Sequence, residues 1–472
     1  MSLSPNDLEI INWIKNLPDD FWDFKTDDTK EMSHAFHTYP ATMIYPISRH
    51  IIEKMKSLYR IETLLDPFAG SGTVLVEGML QDIPMIYGND LNPLAVFIST
   101  VRTSPIEATK LNDLNSRLKA DIKNEFANSA IFFDLLEKYI RSRDIDITES
   151  IGWGNSAFEI LTDFMKEHSI KFDIPDFKNI GYWFKPYVIY SIQLIKNSIE
   201  KIMDDTTRNF YLLTLSETIR LASNRRNSEF KMYRISKKNL PDFKPDVLSM
   251  FFSLLDEYTI KMNDFDCALS DINSKVTISL EDSRVLSYVP DNTIDLIVTS
   301  PPYGDSRTTV AYGEFSRLSL QWIDLTPKHM EAAKIDKSLL GGENYNNGFD
   351  FSLSSSTLQK SLELISDSDV KRSGDVFSYY EDLDKCLRAC SQKSKQDTYQ
   401  FWVVGNRTVK KTYLETDKIL VELAAKYGLK HVTTFVRNIH NKVMPSRNSP
   451  TNKKGKTMST MTNEFIVVLR KE

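Results

Sequence analysis

The stretch Asp295-Leu296-Ile297-Val298-Thr299-Ser300-Pro301-Pro302-Tyr303 decides how the rest of the chain is read. Leu296, Ile297 and Val298 form a short apolar run of the kind that makes a buried parallel strand. Proline has no N–H to donate to a ladder, so Pro301 and Pro302 stop that strand and hold the chain extended at its carboxyl end. In open α/β sheets, ligands bind at that edge. A small hydroxyl, two prolines and an aromatic ring would be presented there together. By itself such a stretch reads most simply as an ordinary strand exit, because short motifs misfire often. Its standing changes with what lies upstream.

Upstream, Thr63-Leu64-Leu65 is a short strand that runs into Asp66-Pro67-Phe68-Ala69-Gly70-Ser71-Gly72-Thr73, followed by a helical pattern over Val74–Leu80. A glycine-rich turn between strand and helix lets the backbone come close to a ligand and aims free N–H groups at it. No Gly-Lys-Ser/Thr follows, so this is not a triphosphate loop. The next strand, Met85–Gly88, ends at Asn89-Asp90, with the acid about 20 residues beyond Gly70, where α/β nucleotide folds place a carboxylate on ribose hydroxyls.

Composition sets the bounds. The chain has 472 residues, 41% hydrophobic, which is enough for two or three domains or for one domain with large insertions. Three cysteines exclude a disulfide framework and suit a reducing cytoplasm. Cys386 and Cys390 read as core thiols on one helix face. No apolar run reaches the roughly 18–20 residues that span a bilayer, so no membrane partner is expected. The first residues lack the pattern of a signal peptide. The net charge is −5, yet two stretches are locally basic. One holds Arg225, Arg226, Lys231, Arg234, Lys237 and Lys238, and the other Lys430, Arg437, Lys442, Arg447, Lys453, Lys454 and Lys456. In an acidic chain these are candidate polyanion contacts, with solvated faces as the plain alternative.

Between 104 and 266 the αβ alternation gives way to helical patterns, rich in aromatics such as Trp153, Tyr182, Trp183 and Phe184. The sheet resumes with Lys275–Leu280, then Glu281-Asp282-Ser283-Arg284 and the strand before Ser300. Residues 326–375 are polar and read as a mobile flap. An amphipathic helix follows over Val376–Cys390, then a strand over Gln400–Val404 and a helix over Leu414–Tyr427. His431–Arg437 and Phe465–Leu469 pair as a terminal hairpin whose long loop carries the second basic stretch.

Taken together, these motifs resemble the S-adenosylmethionine-dependent amino-methyltransferases of DNA. Asp66 to Thr73, with Phe68, Gly70, Gly72 and Thr73, looks like the family's cofactor motif. Asp90 looks like its ribose-binding acid, and Asp282 like the residue that meets the cofactor's adenine amino group. His37-Thr38-Tyr39-Pro40 looks like the motif that closes over the methionine end. Ser300-Pro301-Pro302-Tyr303 looks like the catalytic motif.

The resemblance implies an α/β fold: a seven-stranded Rossmann-like class I methyltransferase sheet with an antiparallel last strand and a large helical insertion. It divides the chain into 1–103 (N-terminal segment and cofactor motifs), 104–266 (helical insertion, target recognition), 267–325 (catalytic motif), 326–375 (flexible flap) and 376–472 (last part, with the hairpin). S-adenosyl-L-methionine is the implied cofactor, double-stranded DNA the partner, and a restriction endonuclease acting on the same site a further one. The location is cytoplasmic and no oligomer is required. Ser300 as first residue goes with cytosine N4. Adenine N6, an RNA amino group and a non-catalytic DNA-binding subunit stay open as alternatives. In this reading Ser300 and the Pro301 carbonyl accept the target amino N–H bonds and Tyr303 stacks on the base, its ring face counting for more than its hydroxyl. Methylation of an amino nitrogen needs no metal and no attacking thiolate.

Overall fold

The computed structural model describes residues 3–25, 28–143, 156–227, 229–306, 308–328, 330–343, 353–439 and 463–472, with the backbone of 447–448 and 458–459. The strands are β1 (Thr63–Asp66), β2 (Met85–Asp90), β3 (Lys275–Leu280), β4 (Ile294–Thr299), β5 (Ser394–Val404), β6 (Arg407–Val409), β7 (Thr412–Leu414), β8 (Leu429–Asn438), β9 (Arg447–Asn448), β10 (Met458–Ser459) and β11 (Asn463–Lys471). Seven of them form one sheet in the order β3-β2-β1-β4-β5-β11-β8. β1 to β5 run parallel, while β11 lies antiparallel to both β5 and β8. This is the Rossmann-like class I methyltransferase sheet expected above, antiparallel last strand included.

The strand order reverses between β1 and β4, which pair in parallel through Leu64↔Leu296 and Leu65↔Ile297. The connections from these two neighbours leave toward opposite ends of the sheet, so a crevice opens between their carboxyl ends. The Asp66 turn and Ser300 stand on its two sides.

Side-chain alternation sorts the sheet into two cores. Leu64, Leu296, Phe401 and Ile466 face one side, and Leu65, Ile297, Trp402 and Val467 the other. The first face is covered by α2 (Tyr45–Leu58), α3 (Thr73–Leu80) and α4 (Pro93–Arg102), preceded in the chain by α1 (Pro5–Asn16). The helices of the insertion continue the same core: α5 (Ala108–Asn128), α6 (Ala130–Ser142), α7 (Ser156–Glu167), α8 (Ile180–Trp183), α9 (Pro186–Glu200), α10 (Asp205–Ala222) and α11 (Val247–Ala268). Leu111, Ile192, Phe210 and Phe251 belong to one apolar cluster with the sheet residues, so the insertion extends the core of this face. The aromatics Trp183 and Phe184 are buried in it, while Trp153 lies outside the described residues.

The second face is covered by α15 (Val370–Lys393) and α16 (Thr416–Ala425), with Cys386 and Cys390 buried against it as expected. After β4 come α12 (Tyr312–Ile323), the single turn α13 (Ile335–Ser338) and α14 (Ser356–Ser366). The stretch 326–375 is therefore not an unstructured flap throughout. Ser355 caps α14, and Leu358, Leu362 and Ile365 bury one helix face beneath a polar composition. Leu414 belongs to a small hairpin, β6–β7, rather than to the following helix. No described helix is long and apolar enough to cross a membrane.

Candidate active site

A cleft opens at the β1/β4 switch point. Its walls include Tyr39, Pro40, Asp66, Phe68, Gly70, Thr73, Asp90, Asp282, Ser300 and Pro302. Along the sheet edge the polar groups follow the strand order: Ser300 after β4, the glycine-rich turn after β1, Asp90 ending β2, and Asp282 after β3. Motifs far apart in sequence thus line one crevice.

Each acid in it is tied to its neighbours. The Thr299 hydroxyl donates to Asp66 Oδ1 at 2.6 Å, and the Phe68 N–H donates to the same oxygen at 3.0 Å, so Asp66 joins the tips of β4 and β1. Burial pushes its carboxyl up to about 7. Asp90 accepts the Gly70 N–H at 3.0 Å and the Asn92 N–H at 2.8 Å. Burial outweighs these bonds and pushes it up to about 6. Asp282 is gripped by Arg284, whose Nε lies 2.8 Å from both of its oxygens, while Arg284 Nη1 reaches Asp382 at 2.8 Å.

The two glycines differ. Gly70 lines the cleft with φ 50, and a Cβ there would meet nothing closer than Tyr39 Cε1 at 3.6 Å. Gly72 has φ 83 and does not line the cleft, because it packs against α4, where a Cβ would come to 2.8 Å from Ser99 Cβ. Its service to the site is close helix packing rather than ligand approach.

His37 also departs from expectation. Its ring turns away from the cleft into the insertion, with Nε2 2.8 Å from Ser216 Oγ and Nδ1 2.7 Å from the Thr38 carbonyl. Burial holds it down to about 4, so the ring is neutral and Nδ1–H donates to Thr38. The Tyr258 hydroxyl accepts the His37 backbone N–H at 2.8 Å, and Arg102 Nε donates to the Phe36 carbonyl at 3.0 Å. The loop is clamped by α4, α10 and α11, and Tyr39 and Pro40 are the residues it sends to the cleft. Tyr39 stacks on Tyr312 with ring centroids 5.8 Å apart, and Asn92 Nδ2 donates to its hydroxyl at 3.1 Å.

No protein-family model matches the chain. It is 39% identical over 458 residues to the Type II methyltransferase M.MvaI of Kocuria varians, spanning 95% of this chain and 93% of that protein. The chain belongs to the Type II methyltransferases. M.MjaII of Methanocaldococcus jannaschii, also a Type II methyltransferase, is 24% identical over 375 residues, 66% of this chain and 69% of its own. Among solved structures, an rRNA methyltransferase, aviRa from Streptomyces viridochromogenes, aligns over 92% of this chain and 88% of its own, at 10% identity and a TM-score of 0.28. That likeness is too weak to add to the strand order.

In this Type II methyltransferase the Ser300–Tyr303 loop is held from behind. The Tyr379 hydroxyl donates to the Pro302 carbonyl at 2.5 Å. Asp305 is fully buried between Arg372 at 3.0 Å and Arg407 at 3.1 Å. Burial works to raise the Asp305 carboxyl, but the two guanidinium groups hold it below the usual range. Ser300 Oγ donates to the Tyr303 hydroxyl at 3.3 Å, and that hydroxyl donates to Glu464 Oε1 at 2.9 Å. Burial, and then Glu464, push the Tyr303 phenol well up. Ser300 and Pro302 line the cleft, and beside them Pro301 is buried and Tyr303 half-buried.

The basic residues divide as well. Arg225 is not a surface cation. It is buried, donates through Nη2 to the Glu229 carbonyl at 2.8 Å, and lies over the Phe315 ring. Arg437 is buried too, donating through Nε to the Trp22 carbonyl at 2.9 Å and pairing with Glu464. Neither guanidinium is presented to a phosphate. Arg234 lies over Tyr182, while Arg226 is exposed and Lys231 half-buried. Lys442, Lys453 and Lys454 lie outside the described residues, as does the Arg447 side chain. Sequence reading missed Asn92, Asp305, Arg407 and Glu464. Asn92, directly after the Asp90 turn, was the most accessible of these, since it caps α4 as well.

Proposed function

We propose that this Type II methyltransferase transfers a methyl group from S-adenosyl-L-methionine to the exocyclic N4 of cytosine in double-stranded DNA. The observation that carries the reading is the pairing of β1 with β4, which sets the glycine-rich turn and Ser300 in one cleft. The cleft suits the cofactor, because a few polar groups converge there among apolar walls, as in small-ligand sites. Phe68, Leu91 and Leu340 offer flat apolar surface for a purine, and Asp90 and Asp282 offer carboxylate acceptors for ribose hydroxyls and an adenine amino group. Bound there, the cofactor supplies an electrophilic methyl on a positively charged sulfur that leaves as a neutral thioether.

The protein's own part is positioning and electrostatics. The amino group of a base is a poor nucleophile, because its lone pair is delocalised into the ring. Acceptors at the Ser300 hydroxyl and the Pro301 carbonyl take its N–H bonds and favour a tetrahedral nitrogen. Tyr303 gives the extrahelical base a ring face. Reaching that position requires rotating the base out of the duplex, at a cost of a few kcal/mol. Arg226, Lys231, Arg234 and the basic stretch with Lys442, Arg447, Lys453 and Lys454 contact phosphates. The insertion over 104–266 reads the sequence, with cytoplasmic host DNA protected against a restriction endonuclease of the same site. Adenine N6 is the second reading, because a neutral hydroxyl accepts from either amino group.

Ser300→Ala tests this. Single-turnover methylation should fall while DNA affinity changes little, because the lost acceptor matters most as the nitrogen becomes tetrahedral. Methylation at the normal rate would reject the role.

A further inference from the structure

Serine is donor and acceptor at once, and a hydroxyl that points its proton at an amino nitrogen ties up the lone pair that must attack. Something has to turn the Ser300 proton away. We propose that Glu464, acting through Tyr303, is a positioning residue that makes Ser300 a pure acceptor toward the target amino group. This rests on the amino-methyl transfer reading above.

The hydrogen bonds leave one consistent direction. Glu464 on β11 and Arg437 on β8 are register partners across the antiparallel ladder. Arg437 donates to the Trp22 carbonyl and grips Glu464 Oε2, so the carboxylate is fixed and Oε1 is left for the phenol. An ionised carboxylate can only accept, so the Tyr303 hydroxyl donates to it, at 2.9 Å. The phenol oxygen is then free to accept, and Ser300 Oγ donates to it at 3.3 Å. The Ser300 hydroxyl proton is thereby committed to the phenol, which leaves its oxygen lone pairs for a group in the cleft that Ser300 lines. Glu464 and Arg437 have little exposed surface, which shields this ordering from competing water.

Glu464→Gln keeps the shape and reverses the polarity. The amide oxygen goes to the Arg437 guanidinium, its stronger donor, and the amide N–H₂ faces Tyr303. The phenol must then accept from Gln and donate to Ser300, whose own proton turns into the cleft. We expect single-turnover methylation to fall about ten- to a hundred-fold, the scale of one hydrogen bond to a charged group. Affinity for DNA and for S-adenosylmethionine should stay within about two-fold when measured below the variant's melting temperature, which falls because the Arg437 ion pair is lost. Tyr303→Phe removes the relay, so Glu464→Gln added to it should cause no further loss of rate. An unchanged rate in Glu464→Gln would overturn the inference. So would an equal rate loss when Glu464→Gln is added to Tyr303→Phe, because the carboxylate would then act on the strand and not through the phenol. If the wild-type protein transfers no methyl to DNA, the functional reading itself fails, and the inference falls with it.

Discussion

Replacing Gly72 by alanine should damage the fold, and the same change at Gly70 should do far less. Both residues have positive φ, 83 and 50, where an alanine costs about 1–2 kcal/mol against glycine. At Gly70 nothing more is added, since the nearest atom to a new methyl would be Tyr39 Cε1 at 3.6 Å. At Gly72 the methyl would sit 2.8 Å from Ser99 Cβ and 3.0 Å from Ser99 Cα. Neither atom can yield by side-chain rotation, so α4 itself must shift, and overpacking of this kind costs typically about 1–3 kcal/mol. The sum is roughly 2–5 kcal/mol for Gly72→Ala against about 1–2 for Gly70→Ala. Urea unfolding followed by tryptophan fluorescence compares the midpoints directly. Titration of S-adenosylmethionine into each folded variant separates stability from binding. Equal midpoints for the two variants would refute the packing argument and return Gly72 to the ligand-facing role its motif suggested.

Two further outcomes follow from the same cleft and its surroundings. Asp90 is raised by burial from 3.8 to about 6, so its protonated form is favoured in the fold. Its contribution to stability is complete below the unfolded value and is lost as pH rises through about 6. Ribose hydroxyls favour the carboxylate, so S-adenosylmethionine affinity measured by calorimetry should rise with pH across that value and lose much of the rise in Asp90→Asn; a flat profile in the wild type would reject the assignment. Arg226→Ala and Lys231→Ala should each lower the salt dependence of DNA binding by about one unit of slope, while Arg225→Ala should lower stability by about 1.5–3 kcal/mol and leave the slope alone. A slope lost with Arg225 would place that guanidinium on the DNA after all.

The sheet was legible because its strands are apolar runs that end in turn chemistry, as at Leu296–Val298 before Pro301 and at Leu64–Leu65 before Pro67. The adjacency of β1 and β4 is what the family resemblance implies through its strand order, and the two strands do pair. Other features were hidden for physical reasons. His37 sits in the right motif, but which way a side chain turns in a loop depends on partners such as Ser216, far along the chain. Arg225 stands in a run of cations and looks solvated, yet backbone carbonyls and Phe315 take it inside. The helix Ser356–Ser366 was masked by its serines, although Leu358, Leu362 and Ile365 carry a helical spacing. Glu464 could not be found from sequence, because its meaning comes from Tyr303 in the loop after β4 and Arg437 on β8.

The central claim is that Ser300 holds an exocyclic amino nitrogen beside the cofactor turn. The direct measurement is to incubate plasmid DNA with the purified protein and isotopically labelled S-adenosylmethionine, digest it to nucleosides, and identify the labelled one by mass spectrometry. The expected product is N4-methylcytosine, formed more slowly by Ser300→Ala. N6-methyladenine would keep the mechanism and correct the base, whereas label on a ring carbon, or no label in DNA at all, would contradict the account.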